Sequence, residues 1–111
     1  MPILDYGYIA YIHLRMELEW DDDKNQKNKN KHGFDFNDAP AIFADYYLEK
    51  LDTRCNYGED RWIALGLVHG VVSVLVYTER GEKWRPISLR KATAAEQLAY
   101  EKARNERLEK N

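Results

Sequence analysis

The rhythm of polar and apolar positions changes several times along the chain. Glu17 to Trp20 alternate polar and apolar residues, as a half-buried strand does. Asp21-Asp22-Asp23 then open a helix, one aspartate capping free N–H groups and the others favouring the positive end of the dipole. Positions 22–32 are almost wholly polar, so the pattern excludes a core helix. Lys31 and His32 fall at its negative end, and Gly33 supplies the stop. A second short helix is predicted from about Asn37 to Ala44, with Ile42 and Phe43 buried and Pro40 admissible only in a first turn. Residues 46–51 read as a strand. Trp62–Leu67 and Val71–Glu79, joined through His69-Gly70, read as a hairpin. Arg80-Gly81 turns the chain into a last strand, Lys83–Arg90. Pro86 makes that strand an edge or a bulged one. Thr93-x-x-Glu96 is a capping box for a final helix, about Ala94 to Leu108, whose apolar face is mostly alanine. The order gives a small α+β domain with an antiparallel sheet of about four strands, two N-terminal helices and a C-terminal helix.

Composition narrows this picture. The 111 residues make one domain with a thin core. No apolar run approaches a membrane span, and residues 1–15 lack the pattern of a secretory signal. A cytoplasmic protein is expected. The single cysteine, Cys55, allows no internal disulfide and no cysteine-rich metal site. The net charge of −2 conceals alternating blocks. Met16–Asp23 holds five acids and no base, and Lys24–His32 holds four lysines and no acid. Gly33–Asp60 is acidic, whereas Arg61–Lys91 has six bases against two acids. Folding that joins the two basic blocks makes a phosphate-binding surface; otherwise they only solvate the exterior.

Candidate chemistry follows from what is missing as much as from what is present. His13, His32 and His69 share no metal-ligand spacing. No glycine-rich phosphate loop, Ser-His-Asp order or nucleophile elbow occurs. RNA cleavage by its own 2′-hydroxyl asks for less: a group to take the proton, cations for the charged transition state, and a proton for the leaving oxygen. Arg80, Arg85 and Arg90 are clamp candidates, although Arg85 is out of alternation with the other two unless a bulge intervenes. Glu96 is by default the partner of Thr93, yet it shares a helix face with Tyr100. His32 is either a proton-transfer group or a C-terminal cation stabilised by the dipole. Ser88 reads first as a ladder serine. Trp62 and Trp84 read as core or strand-pair residues.

The motifs taken together resemble the BrnT toxins of bacterial type II toxin–antitoxin systems. The resemblance runs from about Leu18 to Tyr100. It rests on Glu19-Trp20-Asp21 with Lys24-Asn25, on Lys31-His32-Gly33 with Phe36, and on Ala39, Phe43, Ala44 and Asp45. It continues through Gly58–Gly66, Val76–Arg80 and Ile87–Thr93 with Glu96 and Tyr100. It implies a RelE-like fold, an endoribonuclease of the mRNA interferase type that needs no metal or other cofactor, and growth inhibition. It also implies neutralisation by a BrnA-type antitoxin with a ribbon-helix-helix DNA-binding domain, through which operator DNA is bound. Positions matching the family are Lys31, His32, Arg61, Glu79, Arg80, Ser88, Arg90, Glu96 and Tyr100. Of these, His32, Arg80, Arg90, Glu96 and Tyr100 are candidate catalytic residues. Lys31, Arg61 and Ser88, together with Arg85, are candidate RNA contacts. Arg80 and Arg90 are expected to hold the scissile phosphate. The resemblance makes residues 1–15 an extension of a domain spanning 16–111, and it leads one to expect a histidine near Gly58-Glu59 that this loop lacks. That departure, with the acidic net charge, sets a second reading beside the enzyme: a catalytically silent module that binds antitoxin or nucleic acid.

Overall fold

A computed structural model describes residues 17–54, 56 and 58–109 of the chain. The expectations for residues 1–15 and for Cys55 lie outside the described residues. Five strands, β1 (Glu17–Leu18), β2 (Leu48–Leu51), β3 (Trp62–Val68), β4 (Val71–Arg80) and β5 (Lys83–Lys91), form one sheet in the order β1-β5-β4-β3-β2. Strands β2 to β5 are antiparallel neighbours. The short β1 joins in parallel through Glu17–Lys83 and Leu18–Trp84, which raises the expected four strands to five. Helix α1 (Asp22–His32), a 3-10 helix (Phe36–Ala44) and helix α2 (Ala94–Glu109) complete the α+β domain.

The principal core lies between the sheet and the 3-10 helix. Phe36, Ala39, Ile42 and Phe43 pack on Ala64, Leu75, Tyr77, Trp84 and Leu89. Edge-to-face rings stitch the layers together: Phe43 meets Tyr77 at 5.6 Å and Trp84 at 5.3 Å. Gly66 is required by this packing. A Cβ there would lie 2.9 Å from Ile42 Cγ2 and 3.0 Å from the Ile42 carbonyl oxygen. Pro40 sits inside the 3-10 helix rather than in the first turn of an α-helix. The proline, which donates no N–H, is accommodated by a short 3-10 element instead of interrupting an α-helical ladder.

The opposite face of the sheet carries a smaller cluster of Val72, Val74, Ala92 and Tyr100, with Tyr46, Ile63, Leu65 and Leu67 at its margin. Helix α2 reaches the sheet mainly through Tyr100, whose hydroxyl donates to the Tyr46 carbonyl at 2.9 Å. Leu98 and Leu108 stay largely exposed, in keeping with the weak alanine face of this helix. The Thr93–Glu96 capping box forms as its spacing predicts: Thr93 N–H donates to Glu96 Oε1 at 2.8 Å, and Glu96 N–H to Thr93 Oγ1 at 3.2 Å.

Helix α1 is attached differently. Asp21 caps it, and Gly33 ends it in the left-handed conformation. Its positions 24, 27, 28, 31 and 32 follow the i, i+3, i+4, i+7, i+8 spacing of a buried apolar stripe, yet read Lys, Lys, Asn, Lys, His. Two asparagines do what leucines do elsewhere. Asn25 donates to Asp35 at 3.0 Å and accepts from the Phe36 N–H at 2.9 Å. Asn28, buried, donates to the Leu89 carbonyl at 2.9 Å and accepts from the Leu89 N–H at 3.1 Å. The side-chain amide thus pairs with β5 as a neighbouring strand would, beyond the point where β1 ends.

Candidate active site

The pairing through Asn28 fixes what faces what. With α1 held against β5, Lys24, Lys27, Lys31 and His32 line one wall of a cleft of about 260 Å³, and Ile87 and Ser88 line the other. The two basic blocks of the sequence therefore meet. His32 is half-buried, and its imidazole is pushed below its ordinary value of 6.5, first by loss of water and then by the positive charges of Lys31 and Arg90. The neutral form of the imidazole is therefore favoured at pH 7. Arg90, two residues beyond Ser88 on β5, is close enough to act on it through that field.

The faces of β5 depend on a bulge. Val76 pairs with Ser88 and Tyr77 with Pro86, so Ile87 is the extra residue, next to the proline that predicted an irregularity. The bulge restores alternation. Arg85, Ser88 and Arg90 stand opposite Thr78, Val76 and Val74, which share one face, and Arg80 opposite Lys83 belongs to the same row. The arginines do not converge, however. Arg80 and the position opposite Arg90 are six residues apart on β4, about 20 Å at the rise of an extended strand. This register sets Arg80 and Arg90, expected to hold one phosphate, at opposite ends of the row. Arg85 is paired with Glu19 at 2.6 Å. Arg61 precedes β3 at the Arg80 end of the sheet, where it faces Glu59 at 4.0 Å. Strand register brings Lys31, His32, Ser88 and Arg90 together and leaves Arg61, Arg80 and Arg85 at a distance.

Glu96 meets Arg90 in a two-pronged ion pair. Arg90 Nη1 lies 2.8 Å from Glu96 Oε1, and Nη2 lies 2.9 Å from Oε2. The guanidinium, with help from the Thr93 N–H and hydroxyl, brings the Glu96 carboxyl down to about 2. It is ionised at any physiological pH and takes no proton there. In this geometry it fixes the orientation of the Arg90 guanidinium. Nη1 of Arg90 also donates to the Lys91 carbonyl at 3.2 Å, so three of the five guanidinium donors are engaged among the described residues. Tyr100 is 1% exposed, and burial raises its phenol. The spacing that put Glu96 and Tyr100 on one helix is correct, but Glu96 points at the sheet's arginine while Tyr100 enters the core.

Four contributors are not marked as site residues by the sequence motifs. Composition places Lys24 and Lys27 in a basic block without assigning them a face. The i, i+3, i+7 spacing of Lys24, Lys27 and Lys31 carries that signal. Asn28 is visible as a polar residue on the same stripe. Arg54 lies near enough to Arg90 to oppose its protonation, and it is bound to the buried Asp52 carboxylate at 2.8 Å. Nothing local in the sequence marks Arg54. Among the described residues, no group of three His, Cys, Asp or Glu side chains is arranged to hold a metal ion. Among them, too, no helix is long and apolar enough to cross a membrane.

Comparison with known families adds one finding. Residues 20–96 match the model of a family described as ribonuclease toxin, BrnT, of type II toxin–antitoxin systems. That span takes in the cleft, β5 and the Arg90–Glu96 pair. No curated protein matches the chain.

Proposed function

This chain belongs to the BrnT family of ribonuclease toxins of type II toxin–antitoxin systems, and from that premise we propose that the cleft between α1 and β5 is where RNA is cut. The observation that carries the proposal is the meeting of a neutral, half-buried His32 with Lys31 and Arg90 across the Asn28 anchor. In this reading the cut is a transfer to the substrate's own 2′-oxygen. His32 takes the 2′-hydroxyl proton as the oxygen attacks phosphorus. The P–O2′ bond forms, the P–O5′ bond breaks, and the 5′-oxygen leaves as a hydroxyl after gaining a proton from solvent. Lys31 and the remaining donors of Arg90 face the charge that grows on the non-bridging oxygens. Ser88 is a contact beside the cut. Glu96 positions Arg90, Tyr100 positions α2, and Arg61, Arg80 and Arg85 serve more distant parts of the RNA.

The reaction in this reading uses no metal ion, the RNA is messenger RNA, and the site works in the cytoplasm. A type II toxin has an antitoxin. The partner proposed here is of BrnA type, with a ribbon-helix-helix domain that carries the complex to operator DNA.

The test is made with purified, antitoxin-free protein and RNA in excess EDTA. Wild type is expected to cut, and Arg90→Ala to lose about 2–4 kcal/mol of transition-state stabilisation. Intact RNA with the wild type, or equal cutting by the variant, would sink the proposal. A silent binding module predicts intact RNA together with normal growth on induced expression.

A further inference from the structure

The lysines of α1 are more extensive than a cleavage site requires. Lys24, Lys27 and Lys31 lie on one wall of the cleft and span about 10 Å of helix axis. No ion pair involves any of the three among the described residues, whereas Lys29, on another face, meets Asp35 at 3.8 Å. The stretch from Lys24 to His32 contains no acid to neutralise them, in a chain whose net charge is negative. A row of like charges is unfavourable by itself, and among the described residues no ion pair offsets this one. The facing wall supplies Ile87, an apolar residue put in place by the bulge, and Ser88.

Those features fit a single polyanionic strand laid along the helix. We propose that the lysine stripe of α1 is a track for the phosphates of single-stranded RNA, with Lys24 and Lys27 as subsites beyond the cut bond. The inference rests on the cleavage reading above and extends it from one phosphate to a run of them. The cleft of about 260 Å³ runs beside α1, where Lys24, Lys27 and Lys31 stand exposed. Ammonium groups on flexible stems suit phosphates that need holding without being forced into one geometry. Lys24 and Lys27 are exposed, so replacing them disturbs no packing. They are positioning residues, and they raise affinity for longer substrates without touching the reacting atoms.

The experiment measures binding and cleavage separately. Binding uses 2′-O-methyl oligoribonucleotides of two, four and eight nucleotides, which cannot be cut because the 2′-oxygen has no proton to lose. Each phosphate contact on a single strand contributes roughly 0.7 to the slope of log K against log salt. Lys24→Ala/Lys27→Ala is expected to lower that slope by about 1.4, which amounts to roughly 25-fold in affinity at 0.1 M salt relative to 1 M. The gain in affinity from two to eight nucleotides should shrink, and KM for a long RNA should rise with kcat unchanged. Lys27→Glu should weaken binding further. An unchanged slope and length dependence in the double variant overturns the track even if RNA is cut normally. Loss of antitoxin binding with oligonucleotide binding intact also overturns it, because the stripe would then be a protein-docking face. Wild type that binds in the predicted way but never cuts would leave the track standing and defeat the cleavage reading instead.

Discussion

His32 owes its proposed part to its neighbours. Its imidazole sits below 6.5 because it loses water and faces Lys31 and Arg90. A base must be unprotonated to act, so kcat/KM should rise with pH along a limb centred below 6.5 and be level by neutrality. Replacing Lys31 by Ala removes a positive neighbour, which makes the protonated imidazole less unfavourable. The limb should then move to higher pH, besides the loss of rate. A pH–rate profile of the two proteins checks the sign, and a shift to lower pH would contradict this account of the site's field. Glu96 shows why residue type alone is a poor guide. A carboxylate near an RNA site invites an acid–base role, yet the paired guanidinium and the helix cap hold it ionised.

At the scale of elements, α1 is the informative case. Its polar composition correctly excluded a core helix, and Asp21 and Gly33 bounded it where the sequence placed the cap and the stop. What the sequence did not disclose was how such a helix stays on the sheet. Asn28 reads as one polar residue among many, and only the pairing with Leu89 reveals it as a substitute strand. Asn28→Ala leaves the Leu89 N–H and carbonyl without those partners in a buried place. A cost of about 2–3 kcal/mol in denaturant unfolding is expected, together with loss of cleavage beyond what stability explains. The β5 strand teaches a related lesson. Pro86 announced an irregularity, but the position of the extra residue decides which arginines share a face, and that depends on register with β4. The separation of Arg80 from Arg90 has the same origin: distance along a ladder follows from pairing partners, which lie far away in sequence.

For the whole molecule, one sheet separates two unequal layers. The aromatic side, built on the 3-10 helix, holds the larger core, and the α2 side is lightly covered. Strand β5 is packed into this core through the buried Trp84 and Leu89. Gly66→Ala should press the 3-10 helix away from β3 and cost about 1–3 kcal/mol by thermal or denaturant unfolding. A variant as stable as wild type would mean that the layers are less tightly matched than these distances state. The overall class, element order and capping box were legible because they are local patterns. The cleft was not, because it forms from two basic blocks separated by the acidic stretch Gly33–Asp60. The claim that RNA is cut in this cleft meets its most direct test in the ends of the cut RNA. In EDTA, wild type should leave 2′,3′-cyclic phosphate and 5′-hydroxyl ends, and His32→Ala should form them roughly 10²–10⁴-fold more slowly. Ends of another kind, or an undiminished rate in His32→Ala, would contradict it.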